Sequence, residues 1–376
     1  MDERDAIAAR VVHNAATSGG GPWTLEVYPT LRCNLSCQFC DTTDRHRKPQ
    51  NEMSGARWSE IIDEAADLGT QRIMVLGGGE PLLAEAAPAI FSRAKLRGLT
   101  GFLTTNGTRL SRFAPLLAQI GWDEVHVSID GATASTHDRL RGQAGAFRQS
   151  VRGLCALRGL SGAPRLGIHT VVTRENLEEL PDLVRLGAAL GCARVEFDHL
   201  IAYRPEQLRL ALQPADQPRL EAAVSEALAT ARTLGIETTA EALLRPRGLS
   251  TPPPAPGVGL AAAPCLKAWH HLVIQADGRV SPCCVLAGEG GPIRDSGPIG
   301  SGGSGGSGGS VGAAWTHDPF LQTVRTSMLQ KTPLPRCREC SENILVHERA
   351  IRDRLPNSPQ VAGQGAGQAA TLSEPA

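Results

Sequence analysis

The sequence is poor in aromatic residues, carries no net charge and contains no long apolar run. Aromatic side chains make up 4% of the 376 residues, and 38 Lys and Arg balance 38 Asp and Glu. Because nucleic-acid binding relies on basic surfaces and aromatic stacking, we expect no nucleic-acid partner. No apolar run approaches the roughly 18 residues of a membrane helix, so we also expect no membrane association.

The N-terminus lacks the features of a secretory signal. The chain begins MDERD, whereas a signal peptide has a basic start followed by an apolar stretch. We therefore predict a soluble, cytoplasmic protein. Seven of the ten cysteines lie in two groups, which in that compartment indicates metal or iron–sulfur ligation rather than disulfides.

Short β-rich runs alternate with amphipathic helical patterns over most of the chain. The predicted strands are 24–29, 72–76, 101–105, 125–129, 167–172 and 194–198, and the predicted helices are 58–68, 88–96, 146–157, 177–190 and 219–234. Parallel neighbours cannot be joined by tight turns, so this order predicts the α/β class with a partial (β/α)6 TIM-like barrel. The active site is expected at the C-terminal ends of the strands.

A proline-rich segment at 251–257 cannot be helical and indicates a boundary. We predict a barrel domain over 23–245, preceded by an N-terminal extension, 1–22. A smaller α+β domain over 246–350 should follow, because residues 271–285 have the pattern of a β-hairpin with a turn at Asp277-Gly278.

Two further segments are predicted to lack regular structure. Residues 300–310 repeat Gly-Gly-Ser with a regularity that natural loops seldom have, and we interpret them as an engineered linker. Residues 351–376 are small and polar without apolar periodicity, and we predict a flexible tail.

Cys33, Cys37 and Cys40 follow the first predicted strand with the spacing CxxxCxxC. Structural zinc usually takes four protein ligands, and a fourth would have to come from a distant Cys or His. An iron–sulfur cubane held by three cysteines leaves one iron open to bind a small molecule. The spacing favours the cluster over zinc.

With Phe39 before the third cysteine, this loop resembles the CxxxCx(aromatic)C motif of the radical S-adenosylmethionine (SAM) superfamily. The resemblance implies a 4Fe–4S cluster that chelates SAM at its open iron. It also implies reductive cleavage of SAM to a 5′-deoxyadenosyl radical, which abstracts hydrogen from a C–H bond. An electron donor such as flavodoxin or ferredoxin is the expected partner.

Two later segments resemble SAM-lining motifs of that superfamily. Residues 77–81 read Gly-Gly-Gly-Glu-Pro and resemble the GGE motif, which implies that Gly78, Gly79 and Glu80 line the SAM amino group. A plain glycine turn is the alternative. Asn106, at the end of the third strand, is predicted to form a turn first and to line the cofactor second.

Ser128-Ile129-Asp130-Gly131, followed by residues 137–142, resembles the SxDG…HD…RG segment of members with a C-terminal auxiliary domain. The resemblance implies that Ser128 contacts the SAM ribose and that Arg141 contacts its carboxylate. Arg139 is a neighbour that could exchange roles with Arg141. A strand end followed by a solvated helix start is the alternative interpretation.

Four downstream cysteines form the second group. Cys265, Cys283, Cys337 and Cys340, with Gly278 between the first two, resemble the framework of SPASM and twitch domains. No cysteine follows Cys340, so the resemblance implies one auxiliary 4Fe–4S cluster with four thiolate ligands. A zinc ribbon built from the same cysteines is the alternative.

Several other residues are candidates for catalysis. Cys284 follows a cluster ligand, and strand alternation turns it to the opposite face, where a thiol could donate hydrogen to a substrate radical. Packing or an alternative ligand role is the competing interpretation. Glu196, Asp198 and His199 end the sixth strand, and together with His169 they are candidate proton-handling groups or satisfied structural polar groups.

The expected substrate is a small polar natural-product intermediate. About thirty residues precede Cys33, which we take as too few for the peptide-recognition domain that often fronts peptide-maturing members. The single auxiliary cluster resembles that of dehydrogenases, epimerases and deoxygenating enzymes of aminoglycoside and nucleoside antibiotic pathways. We therefore expect an oxidoreductase or lyase that oxidises, epimerises, dehydrates or decarboxylates a sugar, aminocyclitol or nucleoside. Maturation of a ribosomal peptide is one alternative, and a non-enzymatic zinc-binding scaffold is another.

Overall fold

The computed structural model describes residues 2–16, 20–40, 52–202, 204–245, 259–287, 310–340 and 342–355. The proline-rich segment, the Gly-Gly-Ser repeat up to residue 309 and residues 356–376 of the predicted tail lie outside the described residues. Residues 351 and 352 were also predicted to belong to the tail, but they end a helix and Ile351 is buried.

Nine strands in the described part of the chain form one sheet, in the order β7-β6-β5-β4-β3-β2-β1-β8-β9. Their bounds are β1 Thr24–Val27, β2 Arg72–Val75, β3 Thr100–Thr105, β4 Glu124–Ser128, β5 Arg165–Val172, β6 Arg194–His199, β7 Glu237–Thr238, β8 His271–Ile274 and β9 Val280–Ser281. All neighbours pair in parallel except β8 and β9. The predicted α/β class is confirmed, and β1 to β6 lie within two residues of the predicted strands.

Several of the described α-helices begin at a capping side chain or at a proline. The described α-helices are α1 Glu3–Ala16, α2 Gly55–Asp67, α3 Ala87–Leu96, α4 Leu110–Gln119, α5 Ala134–Arg141, α6 Ala146–Arg158, α7 Leu180–Ala189, α8 Gln217–Leu234, α9 Val311–His317, α10 Pro319–Leu329 and α11 Glu342–Arg352. In α2, for example, the Ser54 hydroxyl accepts from Arg57 N, while Trp58 and Ile62 are buried. None of the described helices has the length and apolarity needed to cross a membrane.

The two faces of the sheet differ in chemistry. One face packs against the helices through fully buried apolar side chains, among them Leu25, Ile73, Val125, Ile168 and Val195. Side chains alternate along a strand, so the residues between these lie on the opposite face, which we call the inner face. It carries polar and titratable groups, namely Glu26, Glu124, His126, Ser128, His169, Glu196 and Asp198.

The predicted hairpin is present, but it does not stand apart from the barrel sheet. β8 pairs in parallel with β1, with Glu26 opposite Val273, and β9 then pairs with β8. This pairing covers the β1 edge that an open barrel would otherwise expose. The predicted N-terminal extension contains the helix α1, which buries Ile7 and Val11 in a core shared with Trp269 and Ile351.

Candidate active site

The loop carrying Cys33, Cys37 and Cys40 is held on one side by the glycine-rich end of β2. Gly79 N donates to Thr30 O at 3.1 Å, and Glu80 N donates to Arg32 O at 2.8 Å. A Cβ on Gly79 would lie 2.1 Å from the Arg32 carbonyl oxygen. Glycine is therefore required here because two backbones approach closely, in addition to any contact with a ligand.

The C-terminal end of α5 holds the same loop on its other side. Ser36 N donates to Arg141 O at 3.2 Å, and Gln38 N donates to Leu140 O at 2.9 Å. Gly142 ends the helix with φ +67°, and a Cβ there would lie 2.4 Å from the Ser36 carbonyl oxygen. The left-handed glycine thus lets the helix end pack directly against the cysteine loop.

The surroundings of the three thiols fit an iron–sulfur cluster. Burial raises the pKa of Cys33 to about 11 and that of Cys37 to about 12, although the positive charge of Arg141 acts to lower both. Thiolates at these positions therefore need a cationic partner, and cluster iron supplies one. The Arg141 Nη1 donates to Cys37 Sγ at 3.7 Å, and the Asn106 side-chain amide donates to Cys33 Sγ at 3.9 Å.

The structure distinguishes the two candidate arginines. Arg141 is buried, lies 5.5 Å from the Phe39 ring centroid and forms an ion pair with Asp130. Asp130 is fully buried and also accepts from Val171 N at 2.8 Å. Arg139 is half-exposed and pairs with Glu175 instead. The arginine beside the cysteine loop is therefore Arg141.

Much of the SxDG…HD segment has a structural role that the sequence did not reveal. His137 Nδ1 accepts from Asp130 N at 3.2 Å, and burial followed by the charge of Arg141 lowers the pKa of His137 to about 4. Asp138 accepts from Gly145 N at 2.6 Å and from Phe147 N at 2.8 Å, so it caps α6. The sequence feature that could have indicated this role for Asp130 is its place in the Ser-Ile-Asp-Gly motif.

The remaining predicted SAM-lining residues lie around this loop but make different contacts. Glu80 is buried and accepts from Thr105 Oγ1 at 2.6 Å, Asn106 N at 2.7 Å and Leu82 N at 3.0 Å. It therefore fixes the loop after β3. Asn106 bridges to the cysteine loop by donating to Asn34 Oδ1 at 3.0 Å. Ser128 ends β4 on the inner face, and its hydroxyl has no hydrogen-bond partner among the described residues.

The predicted proton-handling residues separate into two groups. His169 Nε2 lies 2.9 Å from Asp198 Oδ2 on the inner face, and both side chains are about a quarter exposed, at 26% and 27%. Glu196 lies on the same face, 3.2 Å from His126 Nδ1 and 2.9 Å from Arg194. Burial acts to raise the pKa of Glu196, but the hydrogen bond and charge of His126 bring it to about 2.

His199 does not join them. Its Nε2 donates to the Leu243 carbonyl oxygen at 3.0 Å, on the side of the sheet away from Asp198. His199 was predicted as a candidate proton-handling group with Glu196 and Asp198, but its ring is hydrogen-bonded to the Leu243 carbonyl oxygen, and successive side chains on a strand point to opposite faces.

The second cysteine group lines one cavity, and the residues around it include Cys265, Cys283, Cys337 and Cys340. The rest of the described lining is apolar apart from Lys267. Burial raises the pKa of Cys283 and of Cys340 to about 12, so these thiols also need a cationic partner to ionise. The donor set and the dry lining fit a four-thiolate cluster. No three His, Cys, Asp or Glu side chains of the described residues converge closely enough to hold a single metal ion.

Cys284 is absent from the described lining of that cavity. Burial raises the pKa of Cys284 and so does the negative charge of Glu26, whereas the positive charge of Lys267 acts to lower it. β9 ends at Ser281 and Cys284 begins a short 3-10 helix, so the strand alternation expected between Cys283 and Cys284 does not apply. Both cysteines pack against Val285, Cys340 and Leu345. Its role as a hydrogen donor stays a prediction.

Comparison with known families finds matches in two parts of the chain. Residues 27–187 match the radical SAM superfamily, and residues 265–341 match the SPASM iron–sulfur cluster-binding domain. The chain carries a radical SAM domain followed by a SPASM domain. Its cofactors are accordingly SAM, the 4Fe–4S cluster that binds SAM, and auxiliary iron–sulfur ligation of the SPASM type. The zinc interpretation has no support from these matches.

Curated relatives include enzymes of two kinds. The chain is 34% identical to the AdoMet-dependent heme synthase of Methanosarcina barkeri over 195 residues, which are 51% of this chain and 54% of that protein. It is 33% identical to the PqqA peptide cyclase of Methylocella silvestris over 201 residues, which are 52% of each protein. The chain therefore spans about half the length of these relatives.

Solved structures show the same fold. Streptococcus suis SuiB bound to S-adenosylmethionine superposes with a TM-score of 0.62 and 17% identity, covering 89% of this chain and 76% of SuiB. SuiB bound to the precursor peptide SuiA gives a TM-score of 0.60 at 16% identity, covering 91% of this chain and 77% of SuiB. At this identity the likeness concerns the fold alone.

Proposed function

We propose that the protein is a radical SAM enzyme that modifies a peptide by abstracting hydrogen from one of its C–H bonds. The observation that carries this proposal is the likeness to the PqqA peptide cyclase, together with a fold shared with SuiB, which binds a precursor peptide. Bound SAM and its cluster supply a 5′-deoxyadenosyl radical, and auxiliary iron–sulfur ligation supplies an electron acceptor. A flavodoxin or ferredoxin remains the proposed electron donor.

A tetrapyrrole is the second candidate substrate, because the relatives include an AdoMet-dependent heme synthase. The charge of the inner face does not separate the two candidates, since its carboxylates Glu26, Glu196 and Asp198 each have a histidine partner. The small antibiotic-type substrate favoured by the sequence has no counterpart among the relatives described above.

We assign the proton transfer that accompanies the radical chemistry to His169 and Asp198. Their side chains are in hydrogen-bond contact and partly exposed on the inner face, so a bound substrate can reach them. Burial acts to lower the pKa of His169, but the hydrogen bond and charge of Asp198 raise it. Glu196 orients the neighbouring His126 and is a positioning residue in this proposal, and Cys284 remains the proposed hydrogen donor.

The substrate class is tested with deuterium. The anaerobically reconstituted enzyme is incubated with SAM, a chemical reductant and one of three fully deuterated probes: a peptide digest, an iron tetrapyrrole or an aminocyclitol mixture. Mass spectrometry then measures deuterium in the 5′-deoxyadenosine formed. We expect deuterium from the peptide digest. Deuterium only from the tetrapyrrole or only from the aminocyclitols would overturn the peptide assignment.

A matched pair of variants tests the proton-transfer residues. With a reactive probe, His169→Gln should keep deuterium transfer to 5′-deoxyadenosine but lower product formation at least about tenfold, since abstraction precedes proton transfer. His199→Gln is the control, because His199 faces away from the site. Equal losses in both variants would contradict the assignment.

A further inference from the structure

The first cysteine loop has an outer side that is part of the protein surface. Asn34 and Ser36 are exposed, and Gln38 is partly exposed. We call these three residues the loop surface. Asn34 follows Cys33, and Ser36 and Gln38 flank Cys37. A protein docked on the loop surface would therefore be one residue of chain away from two of the three cluster ligands.

Three arginines lie at the Gln38 end of the loop surface. Gln38 Nε2 donates to the Arg139 carbonyl oxygen at 2.8 Å, and Arg209 Nη2 donates to Gln38 Oε1 at 2.6 Å. Arg204 Nη2 donates to the Cys40 carbonyl oxygen at 2.8 Å. The side chains of Arg139 and Arg209 are 48% and 62% exposed, so their charges are accessible to a partner.

A fourth arginine lies at the Asn34 end. Asn34 Nδ2 donates to Thr108 Oγ1 at 2.9 Å, and Arg109 follows Thr108 in the chain. Arg109 is exposed and forms no ion pair with any residue in the described part of the chain. The loop surface is thus bordered by exposed arginines at both ends.

Carboxylates balance only part of this positive charge. Glu175 pairs with Arg139 and also lies 3.6 Å from Arg209 Nη1, so two arginines share one carboxylate. Glu206 lies 3.5 Å from Arg204 Nε. The four arginines therefore have two carboxylate partners between them among the described residues, in a chain whose cationic and anionic side chains are equal in number. Ion pairs as exposed as these are weak, and an incoming anionic group can compete for the arginines.

We propose that the loop surface and the four arginines around it form the docking site of an acidic electron-transfer protein. The proposal rests on the electron donor named under the proposed function and assigns the surface that this donor uses. The local excess of positive charge attracts a negatively charged partner, speeds its association and orients it toward the cysteine loop. In the transfer itself, one electron leaves the reduced flavin or iron–sulfur centre of the donor and enters the SAM-binding cluster, and no covalent bond forms or breaks.

The first test measures binding without turnover. Calorimetry records the affinity of an acidic flavodoxin and of an acidic ferredoxin, both oxidised, for the reconstituted full-length enzyme. Arg109→Glu and Arg209→Glu should each weaken binding at least about fivefold at low ionic strength, because each reverses one charge of the site. Added salt should weaken binding to the wild type, since the Debye length falls from about 30 Å at 0.01 M to about 8 Å at 0.15 M. Arg185→Glu is the matched control, because Arg185 is 49% exposed and lies between the carboxylates of Asp182 and Glu226, on α7 and α8.

The second test compares two ways of reducing the enzyme. Formation of 5′-deoxyadenosine from SAM, without substrate, is measured with the reduced protein donor and with photoreduced deazaflavin, a small molecule that needs no protein interface. Arg109→Glu and Arg209→Glu should lower the donor-driven rate at least about fivefold at low salt and leave the deazaflavin-driven rate near that of the wild type. Arg185→Glu should change neither rate.

Four outcomes would overturn the proposal. They are failure of both oxidised donors to bind the wild type, binding that neither glutamate variant weakens, equal losses with the protein donor and with deazaflavin, and equally tight binding of an acidic protein that has no redox centre. No peptide is present in either test, so a failure of the peptide assignment leaves these readouts unchanged.

Discussion

Replacing Gly142 by Ala tests how the cysteine loop is held in place. Gly142 has φ +67° and ψ 23° at the end of α5, and a Cβ there would lie 2.4 Å from the Ser36 carbonyl oxygen. Gly235 has nearly the same conformation at the end of α8, with φ +65° and ψ 30°, but a Cβ there meets no atom within 4 Å. The two glycines share one backbone conformation and differ in what lies next to them.

The difference between the two variants isolates the displacement of the loop. A left-handed alanine costs roughly 1–2 kcal/mol in either position. In Gly142→Ala the Ser36 carbonyl must also move, which breaks or weakens the bonds from Ser36 N and Gln38 N to α5. At about 1 kcal/mol for each hydrogen bond, Gly142→Ala should lose roughly 2 kcal/mol more than Gly235→Ala.

The assay combines stability with SAM cleavage. Thermal unfolding of the reconstituted proteins measures the first effect, and formation of 5′-deoxyadenosine under reductant measures the second. We expect Gly235→Ala to cleave SAM at nearly the wild-type rate and Gly142→Ala to be at least about tenfold slower, because Cys37 lies between the two displaced hydrogen bonds. Equal stability losses with equal SAM cleavage would refute this account of the loop.

Three further predictions follow from the contacts around the SAM site. Glu80→Gln should weaken SAM binding at least about tenfold by calorimetry, because a single amide oxygen cannot accept all three hydrogen bonds, from Thr105, Asn106 and Leu82, that the carboxylate accepts. Arg141→Ala should lower the rate of SAM cleavage at least about tenfold, whereas Arg139→Ala should leave it nearly unchanged in the same assay. His137 has its pKa lowered to about 4 in the folded state, against about 6.5 unfolded, so its contribution to stability is complete above pH 6.5 and decreases as the pH falls toward 4. Between pH 7.5 and 5.5 the melting temperature should therefore fall less steeply in His137→Gln than in the wild type; an identical slope would contradict this.

The sequence predicted the strands and the ligand loops because their signals are local. β-branched runs ending in glycine or cysteine mark β1 to β4, and close cysteine spacing marks the first ligand set and the pair Cys337 and Cys340 of the second. The alternation of side chains along β6 also predicts that His199 lies on the opposite face from Glu196 and Asp198. Choosing His199 as a candidate overlooked this alternation. The pairing of β8 with β1 was not predictable in this way, because it depends on which sheet edge is available once the barrel has formed.

The roles of single polar residues depended on their partners, which the sequence does not contain. Glu80 resembled a SAM-lining residue, yet its carboxylate binds the loop at Asn106. From the sequence, Arg139 and Arg141 could each have been the SAM-contacting arginine. Their ion pairs in the structure distinguish them, because Arg141 pairs with Asp130 and Arg139 pairs with Glu175.

The most direct test of the account is iron content together with SAM cleavage in wild type, Cys37→Ala and Cys283→Ala after anaerobic reconstitution. The account predicts about eight irons per chain in the wild type and about four in each variant. It also predicts that 5′-deoxyadenosine formation is abolished in Cys37→Ala and that SAM cleavage persists in Cys283→Ala. A wild-type protein that holds about four irons, or that cleaves no SAM with both clusters present, would contradict it.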